Sequence, residues 1–218
     1  MSKIEQLEGM ILCGGEAWRL KPQTFVSKPM LPFGNKTLLE YQLAWLLSNK
    51  ISPIVIASDQ KYEINKAFEK HVTWVLDEGR GTGGAVLVAT DSIQGNQFYL
   101  MNVDDIILGF SPRVMLFPDE QAKVLVAKPT LRCGRSELRQ DLVIRFQEKP
   151  ILDFYVSTGH YLLKKHIVNR YFPDYGNLED KVLPKLVKRK LLHNTRLKGT
   201  WITINNYKDY ELAKGYLS

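Results

Sequence analysis

The sequence predicts an α/β fold in which helices flank a mixed, mostly parallel sheet, and three observations lead to it. Short apolar runs alternate with amphipathic segments through the first half of the chain. Glycine pairs or paired acids follow several of these runs, as they do at the carboxyl ends of parallel strands. In the second half, strand-like runs follow one another with few helices between them. One interleaved domain is the simplest interpretation.

Each predicted element depends on its own pattern of apolar residues. The continuous β-branched run at 54–57 suits a strand covered on both faces of a sheet. The segment at 37–50 carries leucines at 39, 43, 46 and 47, which form one helical stripe. Pro184 is expected to bend or restart the helix at 178–187. In chain order we predict strands at 9–12, 54–57, 72–76, 98–103, 124–127, 142–146, 154–161 and 201–204, and helices at 37–50, 61–70, 83–90, 164–171, 178–187 and 207–216.

Composition limits the possible classes of protein. The 218 residues are 44% hydrophobic and 24% charged, which is ordinary for a globular protein. No apolar run approaches the roughly 18 residues of a membrane span. Cys13 and Cys133 have no metal-binding spacing and are typical of a reducing compartment. We therefore expect a cytoplasmic protein with no membrane partner.

The net charge of +7 suits an anionic ligand, and it would also suit nucleic acid. The basic residues are spread along the chain, apart from a group at 185–190 on one predicted helix. A solvated helix face accounts for that group. We therefore expect no nucleic-acid partner.

The stretch at 12–32 combines the features of a phosphate site. Gly14 and Gly15 end the first strand and let backbone N–H groups approach a ligand closely. Arg19 and Lys28 follow on one proline-rich loop. As bare chemistry, this stretch fits either a polyphosphate site or a surface loop with solvated charges.

The same stretch resembles the signature of the sugar-1-phosphate nucleotidyltransferases, G-G-x-G-T-R-L-x-P-x-T-x-x-x-P-K-P-M-L-P. The resemblance implies a Rossmann-like domain of GT-A type over 1–218, with a nucleotide-binding half at about 1–110 and a sugar-binding half at about 111–218. It also implies nucleotide contacts from Leu12, Gly14 and Gly15, and phosphate contacts from Arg19 and Lys28. Three positions depart from the signature, Ala17, Trp18 and Ser27, and the chain has one residue fewer between Thr24 and Lys28.

A second glycine-rich turn follows the predicted strand at 72–76 and is similar to the family motif E-P-L-G-T-A-G-A. The resemblance implies that Gly83, where the turn opens a helix, contacts the nucleotide. Glu78 is a carboxylate and only accepts hydrogen bonds. Guanine presents two adjacent donors, whereas uracil and thymine present one donor between two acceptors. Glu78 therefore favours GTP, unless it is simply a surface acid at a strand end.

Asp104 and Asp105 follow the predicted strand at 98–103, where carboxylates could hold Mg²⁺ or only cap a turn. The stretch resembles the family motif N-G-D, which implies that Asp104 is a metal-binding aspartate. Val103 replaces the glycine of that motif.

Three further motifs of the same family lie in the second half. The run beginning at Glu148 matches E-K-P, which implies that Glu148 accepts from sugar hydroxyls and that Lys149 reaches the sugar phosphate. Gly159 lies in a segment similar to N-A-G-x-Y, the backbone wall of the sugar pocket. The helix at 178–187 resembles S-L-E…L-P-K-L, which directs Glu179 toward the sugar. An ordinary salt bridge on a helix face is the alternative for Glu179.

The largest departure from the family is Thr203, which occupies the place of a second metal-binding aspartate. With Asp104 as the one expected carboxylate, Mg²⁺ must rely on phosphate oxygens and water, or recruit Asp105. We therefore expect slow activity that Thr203→Asp raises.

Two functions fit these residues. The resemblance implies that the protein transfers a nucleotidyl group from a nucleoside triphosphate, GTP being favoured, to a sugar 1-phosphate, with Mg²⁺ as cofactor. The departures at Ala17, Trp18, Val103 and Thr203 instead suit a catalytically degenerate member that senses nucleotide or NDP-sugar, or regulates an active paralogue. The expected partners are the two substrates and, in addition, a second copy of the chain or a paralogous subunit.

Overall fold

The computed structural model describes residues 6–14, 18–116 and 122–217, except for the side chain of Trp18. Its strands are β1 (Leu7–Leu12), β2 (Pro32–Phe33), β3 (Lys36–Thr37), β4 (Ile51–Ser58), β5 (Val72–Leu76), β6 (Gln97–Asn102), β7 (Asp105–Leu108), β8 (Ala122–Ala127), β9 (Arg135–Arg139), β10 (Leu142–Gln147), β11 (Val156–Lys164), β12 (Leu192–Arg196) and β13 (Thr200–Thr203). Its α-helices are α1 (Leu38–Ser48), α2 (Lys66–Glu69), α3 (Gly81–Thr90), α4 (Lys165–Tyr171), α5 (Leu183–Lys188) and α6 (Tyr207–Leu217).

Seven of these strands form the central sheet, in the order β12-β8-β11-β6-β1-β4-β5. Neighbouring strands run parallel, except that β11 is antiparallel to both β6 and β8. Three two-stranded ribbons accompany the sheet: β9 with β10, β7 with β13, and β2 with β3. The predicted mixed, mostly parallel sheet is confirmed.

The core lies on both faces of this sheet. One buried cluster joins the sheet to α1, α6 and the β7–β13 ribbon, and a second joins it to α3 and α4. Ile54, Val55 and Ile56 of β4 are all buried, although consecutive residues of a strand point to opposite faces. Helices therefore flank both faces, as the continuous apolar run of β4 predicts.

The chain direction of each strand determines which residues meet at one edge of the sheet. Gly14 follows β1, Asp77 follows β5 and Asp104 follows β6, so all three lie beyond carboxyl ends. Because β11 runs the opposite way, its first residues lie at this same edge, and Ser157 pairs with Val126 near the end of β8. Both halves of the chain thus contribute to one edge.

The helix predicted at 61–70 is wrong in length, since α2 covers only Lys66–Glu69. The side chain of Asn65 accepts from the backbone N–H of Ala67 at 2.9 Å and caps a helix that begins five residues later than predicted. Asparagine is strongly preferred at this position because its side chain satisfies an unpaired N–H group. The apolar spacing around Phe68 was therefore insufficient to place the start of the helix.

Other differences concern strands that the sequence did not predict, namely β2, β3, β7, β9 and β12. The other predicted elements are present, most of them with shifted ends, and the helix predicted at 178–187 is divided as expected. A π-helical turn at Leu178–Val182 runs into α5, whose first turn contains Pro184. Within the described residues, no helix is long and apolar enough to cross a membrane.

Candidate active site

A loop cation and a strand-end carboxylate meet at the edge of the sheet. Lys28 Nζ donates to Asp104 Oδ2 at 2.6 Å, and the two side chains are 22% and 20% exposed. Lys28 opens a short 3₁₀ turn that is fixed by the buried residues Pro29 and Leu31. Asp104 lies two residues after the end of β6. The predicted phosphate-binding lysine and the predicted metal-binding aspartate are therefore direct neighbours.

Next to this pair, the carboxylate of Asp105 is buried and accepts three hydrogen bonds. Trp201 Nε1 donates to Oδ1 at 2.9 Å and Asn102 Nδ2 donates to Oδ2 at 3.1 Å. The third donor is the side chain of Thr203, which lies opposite Asp105 in the β7–β13 ladder. Burial, followed by the charge of Asp104, raises the pKa of Asp105 to about 7, although the three donors lower it.

Asp105 is thus the centre of a closed hydrogen-bonding group, and not an open metal ligand. Because the carboxylate is buried and already accepts from three side chains, it leaves little access for a metal. Asn102 and Trp201 both lie in stretches that match family motifs, but nothing in the sequence indicates that their donors meet at Asp105. This group was missed because strand pairing between 105 and 203 assembles it.

Gly159 lies directly against Asp105. Its φ of +73° is one that residues with a side chain rarely adopt. A Cβ atom at this position would collide with Asp105 Oδ2 and lie 2.5 Å from Asn102 Nδ2. Only glycine fits, and its backbone consequently forms the surface beside the carboxylate.

The backbone of Asp105 is held from behind by two buried side chains. Gln42 Nε2 and His160 Nε2 donate to its carbonyl oxygen at 2.9 and 3.0 Å. His160 Nδ1 in turn accepts from the hydroxyl of Tyr99 at 2.7 Å. Burial lowers the pKa of His160 to about 4, so the imidazole is neutral at pH 7. A neutral ring with one donor and one acceptor nitrogen fits both contacts.

The second glycine-rich turn packs against the segment that leads to Glu179. Gly83 is buried, and its N–H donates to the carbonyl of Gly176 at 2.9 Å. A Cβ on Gly83 would lie 2.8 Å from that oxygen, which explains the glycine. Thr82 Oγ1 lies 3.3 Å from Glu179 Oε2. Gly83 and Glu179, predicted for nucleotide and sugar respectively, are therefore brought together.

Glu78 lies exposed at the start of this turn, with a φ of +53°. Its carboxylate pairs with Arg80 at 3.1 Å, while 73% of the side chain stays exposed. The guanidinium of Arg80 also lies over the ring of Tyr175, 5.1 Å from its centroid. Because most of the side chain is exposed, the carboxylate of Glu78 is accessible to a ligand. The ion pair with Arg80 is also weak, since exposed pairs contribute little to stability.

The remaining predicted residues are distributed around the edge. Leu12 is buried at the end of β1, and a Cβ on the exposed Gly14 would lie 3.3 Å from Asp77 Oδ2. Arg19 is exposed on a 3₁₀ turn at Trp18–Leu20. Predictions that involve Gly15 and Ala17 lie outside the described residues, as does the side chain of Trp18.

Glu148 and Lys149 are exposed at the end of the β9–β10 hairpin, and Lys149 has a φ of +45°. Among the residues that the structure describes, no direct contact joins Arg19, Glu148 or Lys149 to Asp104. These three residues stay predictions from the family resemblance.

The carboxylates of the site suit a hard cation that is completed by a ligand. In the described part of the chain, no group of three or more His, Cys, Asp and Glu side chains could hold a metal ion alone. Mg²⁺ typically binds one or two protein carboxylates together with phosphate oxygens and water. Asp104, partly exposed at a strand end, fits that mode of binding.

Comparison with known proteins agrees with this geometry. The sequence profile of the family described as nucleotidyl transferase matches residues 8–215. The chain therefore belongs to the nucleotidyl transferase family.

Relatives with similar sequences include a mannose-1-phosphate guanyltransferase of Schizosaccharomyces pombe, which is 28% identical over 232 residues. That alignment covers 94% of this chain and 62% of the relative. A mannose-1-phosphate guanyltransferase of Saccharomyces cerevisiae is 26% identical, with coverage of 94% and 63%. The chain thus spans under two thirds of the length of these relatives.

Solved structures share the fold. HddC from Yersinia pseudotuberculosis matches with a TM-score of 0.71 at 21% identity, over 97% of this chain and 100% of that chain. HddC has also been solved in complex with GMP-PN. An inositol-1-phosphate CTP transferase from T. maritima matches with a TM-score of 0.68 at 16% identity, over 94% and 91% of the two chains. These likenesses establish the fold class that the sequence predicts.

Proposed function

We propose that the protein transfers a guanylyl group from GTP to a sugar 1-phosphate, giving a GDP-sugar and pyrophosphate. The contact between Lys28 and Asp104 carries this proposal, because it joins a phosphate-binding cation to a carboxylate suited to Mg²⁺. Family membership and the mannose-1-phosphate guanyltransferase relatives support it. Mannose 1-phosphate is accordingly the first acceptor to test.

In the proposed reaction, an oxygen of the sugar phosphate attacks the α-phosphorus of GTP and forms a new P–O bond. The bond from the α-phosphorus to the bridging oxygen of the β-phosphate breaks, and pyrophosphate leaves with the electron pair. Both the nucleophile and the leaving group are anions, so no strong general base or acid is needed. Catalysis then depends on in-line positioning and on neutralising charge.

The chain offers a cation for each charged group of the reaction. Lys28 would stabilise the transferring phosphate, Arg19 the leaving pyrophosphate and Lys149 the sugar phosphate. Asp104 would hold Mg²⁺, which, when bound, neutralises charge on the phosphate oxygens. Since Lys28 occupies one oxygen of Asp104, we infer that it turns toward the phosphate when both ligands bind.

The nucleotide and the sugar would be recognised by different surfaces. Glu78 would accept from the ring N–H and the amino group of guanine, and its exposed carboxylate supports this role. Glu148, Glu179 and the backbone of Gly159 would contact the sugar. The residues Leu12, Gly14, Gly15 and Gly83 would line the nucleotide.

A catalytically degenerate sensor was the alternative function. The named relatives are transferases, so the comparisons give the sensor no support.

The two cysteines are free thiols, which is typical of a reducing compartment. We therefore place the reaction in the cytoplasm.

We also propose that the active form is a homo-oligomer that uses the β9–β10 hairpin. Its two faces differ: Glu137 lies 3.7 Å from both Arg135 and Arg145 on one face. Val143 pairs with Leu138 on the other, and both are at least 60% exposed. A second copy would cover this apolar face.

Light scattering tests this proposal. The wild type should give the mass of an oligomer, and Leu138→Asp should reduce the mass to the 25.1 kDa of one chain.

The decisive experiment measures pyrophosphate release from each of the four common nucleoside triphosphates, with a panel of sugar 1-phosphates and Mg²⁺. We expect release with GTP and mannose 1-phosphate, and much less with UTP, CTP or dTTP. Binding of GDP-mannose without release under any combination would overturn the proposed transferase and favour the sensor.

A further inference from the structure

The nucleotide turn and the segment before Glu179 are joined by reciprocal backbone hydrogen bonds. Gly176 accepts from the N–H groups of Gly83 and Gly84 at 2.9 and 3.3 Å, and its own N–H donates to the carbonyl of Arg80 at 2.8 Å. Gly176 has a φ of +129°, which favours glycine. The two segments therefore meet at a fixed junction, although more than 90 residues separate them in the chain.

Thr82 makes the central side-chain contact of this junction. Its hydroxyl oxygen accepts from the backbone N–H of Leu178 at 2.8 Å. Leu178 is the first residue of the π-helical turn, and Asn177 before it makes no capping hydrogen bond with its own side chain. Unpaired N–H groups at the start of a helical turn need an acceptor. Thr82 supplies that acceptor from α3, a different element.

The same hydroxyl also donates to Glu179. Thr82 Oγ1 lies 3.3 Å from Glu179 Oε2, and the carboxylate can only accept. A hydroxyl has one proton and two lone pairs, so it can serve Leu178 and Glu179 together. Glu179 is exposed and is otherwise a long, flexible side chain. The contact restricts its carboxylate to one side of the turn.

We propose that Thr82 is a positioning residue that orients the carboxylate of Glu179 toward the sugar and fixes it relative to the nucleotide turn. This inference rests on the proposed function, since it assumes that Glu179 contacts the sugar. In this proposal Thr82 acts only through Glu179, to which it donates. Thr82 lies in the motif predicted for the nucleotide. Its proposed effect is nevertheless on binding of the acceptor, the sugar 1-phosphate.

Thr82→Val tests the inference, because it removes the hydroxyl and retains the shape of the side chain. We expect the KM for the sugar 1-phosphate to rise roughly threefold to tenfold, as the loss of about one hydrogen bond implies. The KM for GTP should change less than twofold, and Thr82→Ser should restore most of the acceptor affinity. A general loss of folding would instead affect both substrates alike.

Thr90→Val is the matched control on the same helix. Thr90 is buried and donates to the carbonyl of Val86 at 2.7 Å, away from the junction. It should lower Tm without changing the ratio of the two KM values. Glu179→Ala tests the same contact from its other partner and should also raise the KM for the sugar 1-phosphate. In a Glu179→Ala background, Thr82→Val should have no further effect on that KM.

An unchanged acceptor KM in Thr82→Val, or equal changes for both substrates, would overturn the inference while leaving the transferase in place. An additive effect of Thr82→Val in the Glu179→Ala background would also overturn it. If the wild-type protein released no pyrophosphate, the proposed function itself would fail. Sugar 1-phosphate binding measured by calorimetry then decides the role of Thr82 independently of turnover.

Discussion

The ammonium group of Lys28 lies 2.6 Å from Oδ2 of Asp104, although the two residues are 76 positions apart. Lys28 is held by the proline-rich loop and Asp104 by the end of β6. A cation on this carboxylate oxygen competes directly with any metal ion that binds there. In the proposed reaction, one side chain would therefore link phosphate binding to metal binding.

Lys28→Ala should therefore have opposite effects on turnover and on metal affinity. Turnover should fall by roughly 10²-fold or more, because a preorganised donor to the transition state is lost. Binding of Mn²⁺ to the substrate-free protein should strengthen, because Asp104 loses a competing cation. Steady-state kinetics and electron paramagnetic resonance of Mn²⁺ measure the two effects.

Arg19→Ala is the control for this pair of measurements. Arg19 is exposed and makes no contact with Asp104 among the described residues, so the substitution should lower turnover without strengthening Mn²⁺ binding. Near-normal turnover in Lys28→Ala would show that Lys28 is a bystander.

The structure changes the effect expected for Thr203→Asp. From the sequence, a second carboxylate at 203 should raise activity. In the fold, Thr203 donates to the buried Asp105, so an aspartate there loses that donor and places two carboxyl groups together. We now expect a loss of about 2–4 kcal/mol in unfolding free energy and no gain in turnover, as measured by urea unfolding and pyrophosphate release.

Asp105→Asn supplies the matched background, since it removes the like charge. Thr203→Asp should destabilise the Asp105→Asn protein by less than it destabilises the wild type. A Thr203→Asp single variant that is as stable as the wild type and faster would restore the expectation from sequence.

Glu78→Gln should shift triphosphate preference from GTP toward UTP and dTTP. Glutamine presents a donor and an acceptor, whereas the carboxylate presents acceptors alone. The change in discrimination should be on the order of 1–3 kcal/mol, as for a bidentate contact to a base edge. The ratio of kcat/KM values for GTP and UTP measures it.

Glu211→Gln makes the same change of charge on α6, where Glu211 pairs with Lys214 at 3.1 Å. It should leave the preference unaltered. An unchanged ratio in Glu78→Gln would remove this residue from base recognition.

His160 should make the free energy of unfolding depend on pH below about 6.5. Its pKa is lowered to about 4 in the folded protein, against 6.5 for an ordinary imidazole. Between these values the unfolded chain binds a proton that the folded protein excludes. The contribution of His160 to the free energy of unfolding is therefore complete above pH 6.5. Roughly 3 kcal/mol of this contribution is lost as the pH falls to 4.

Urea unfolding of the wild type and His160→Asn across pH 4–7 isolates this contribution. His160→Asn should be less stable at pH 7, and the difference should shrink toward pH 4. The buried Asp105 titrates in both proteins, so its opposite contribution largely cancels. A constant difference between wild type and His160→Asn would contradict the assignment.

The sequence predicted the elements whose signals are local. The strand at Val72–Leu76 has the predicted bounds because its apolar run ends at Asp77. The strand β9 was missed because charged residues alternate along it and its partner is the next strand, so no buried apolar run marks it. The start of α2 depended on one asparagine cap.

The candidate site divides in the same way. Motif residues such as Gly83 and Asp104 could be named from sequence, because each lies in a short contiguous motif. The contacts of Asp105 with Trp201 and Thr203 could not, because long-range strand pairing creates them. Thr82 lay within a recognised motif, but its role depends on Leu178, which another part of the chain supplies.

The position of β11 between β6 and β8 has a consequence for synthesis on the ribosome. β8 emerges before β11, yet β11 lies between β8 and the strands made earlier. Until Val156–Lys164 has emerged, the edges of β6 and β8 both carry unpaired backbone groups. Direct pairing of these two edges would exclude β11 and carry Gly159 away from Asp105. Nascent chains stalled before residue 156 should therefore require chaperone protection of those edges.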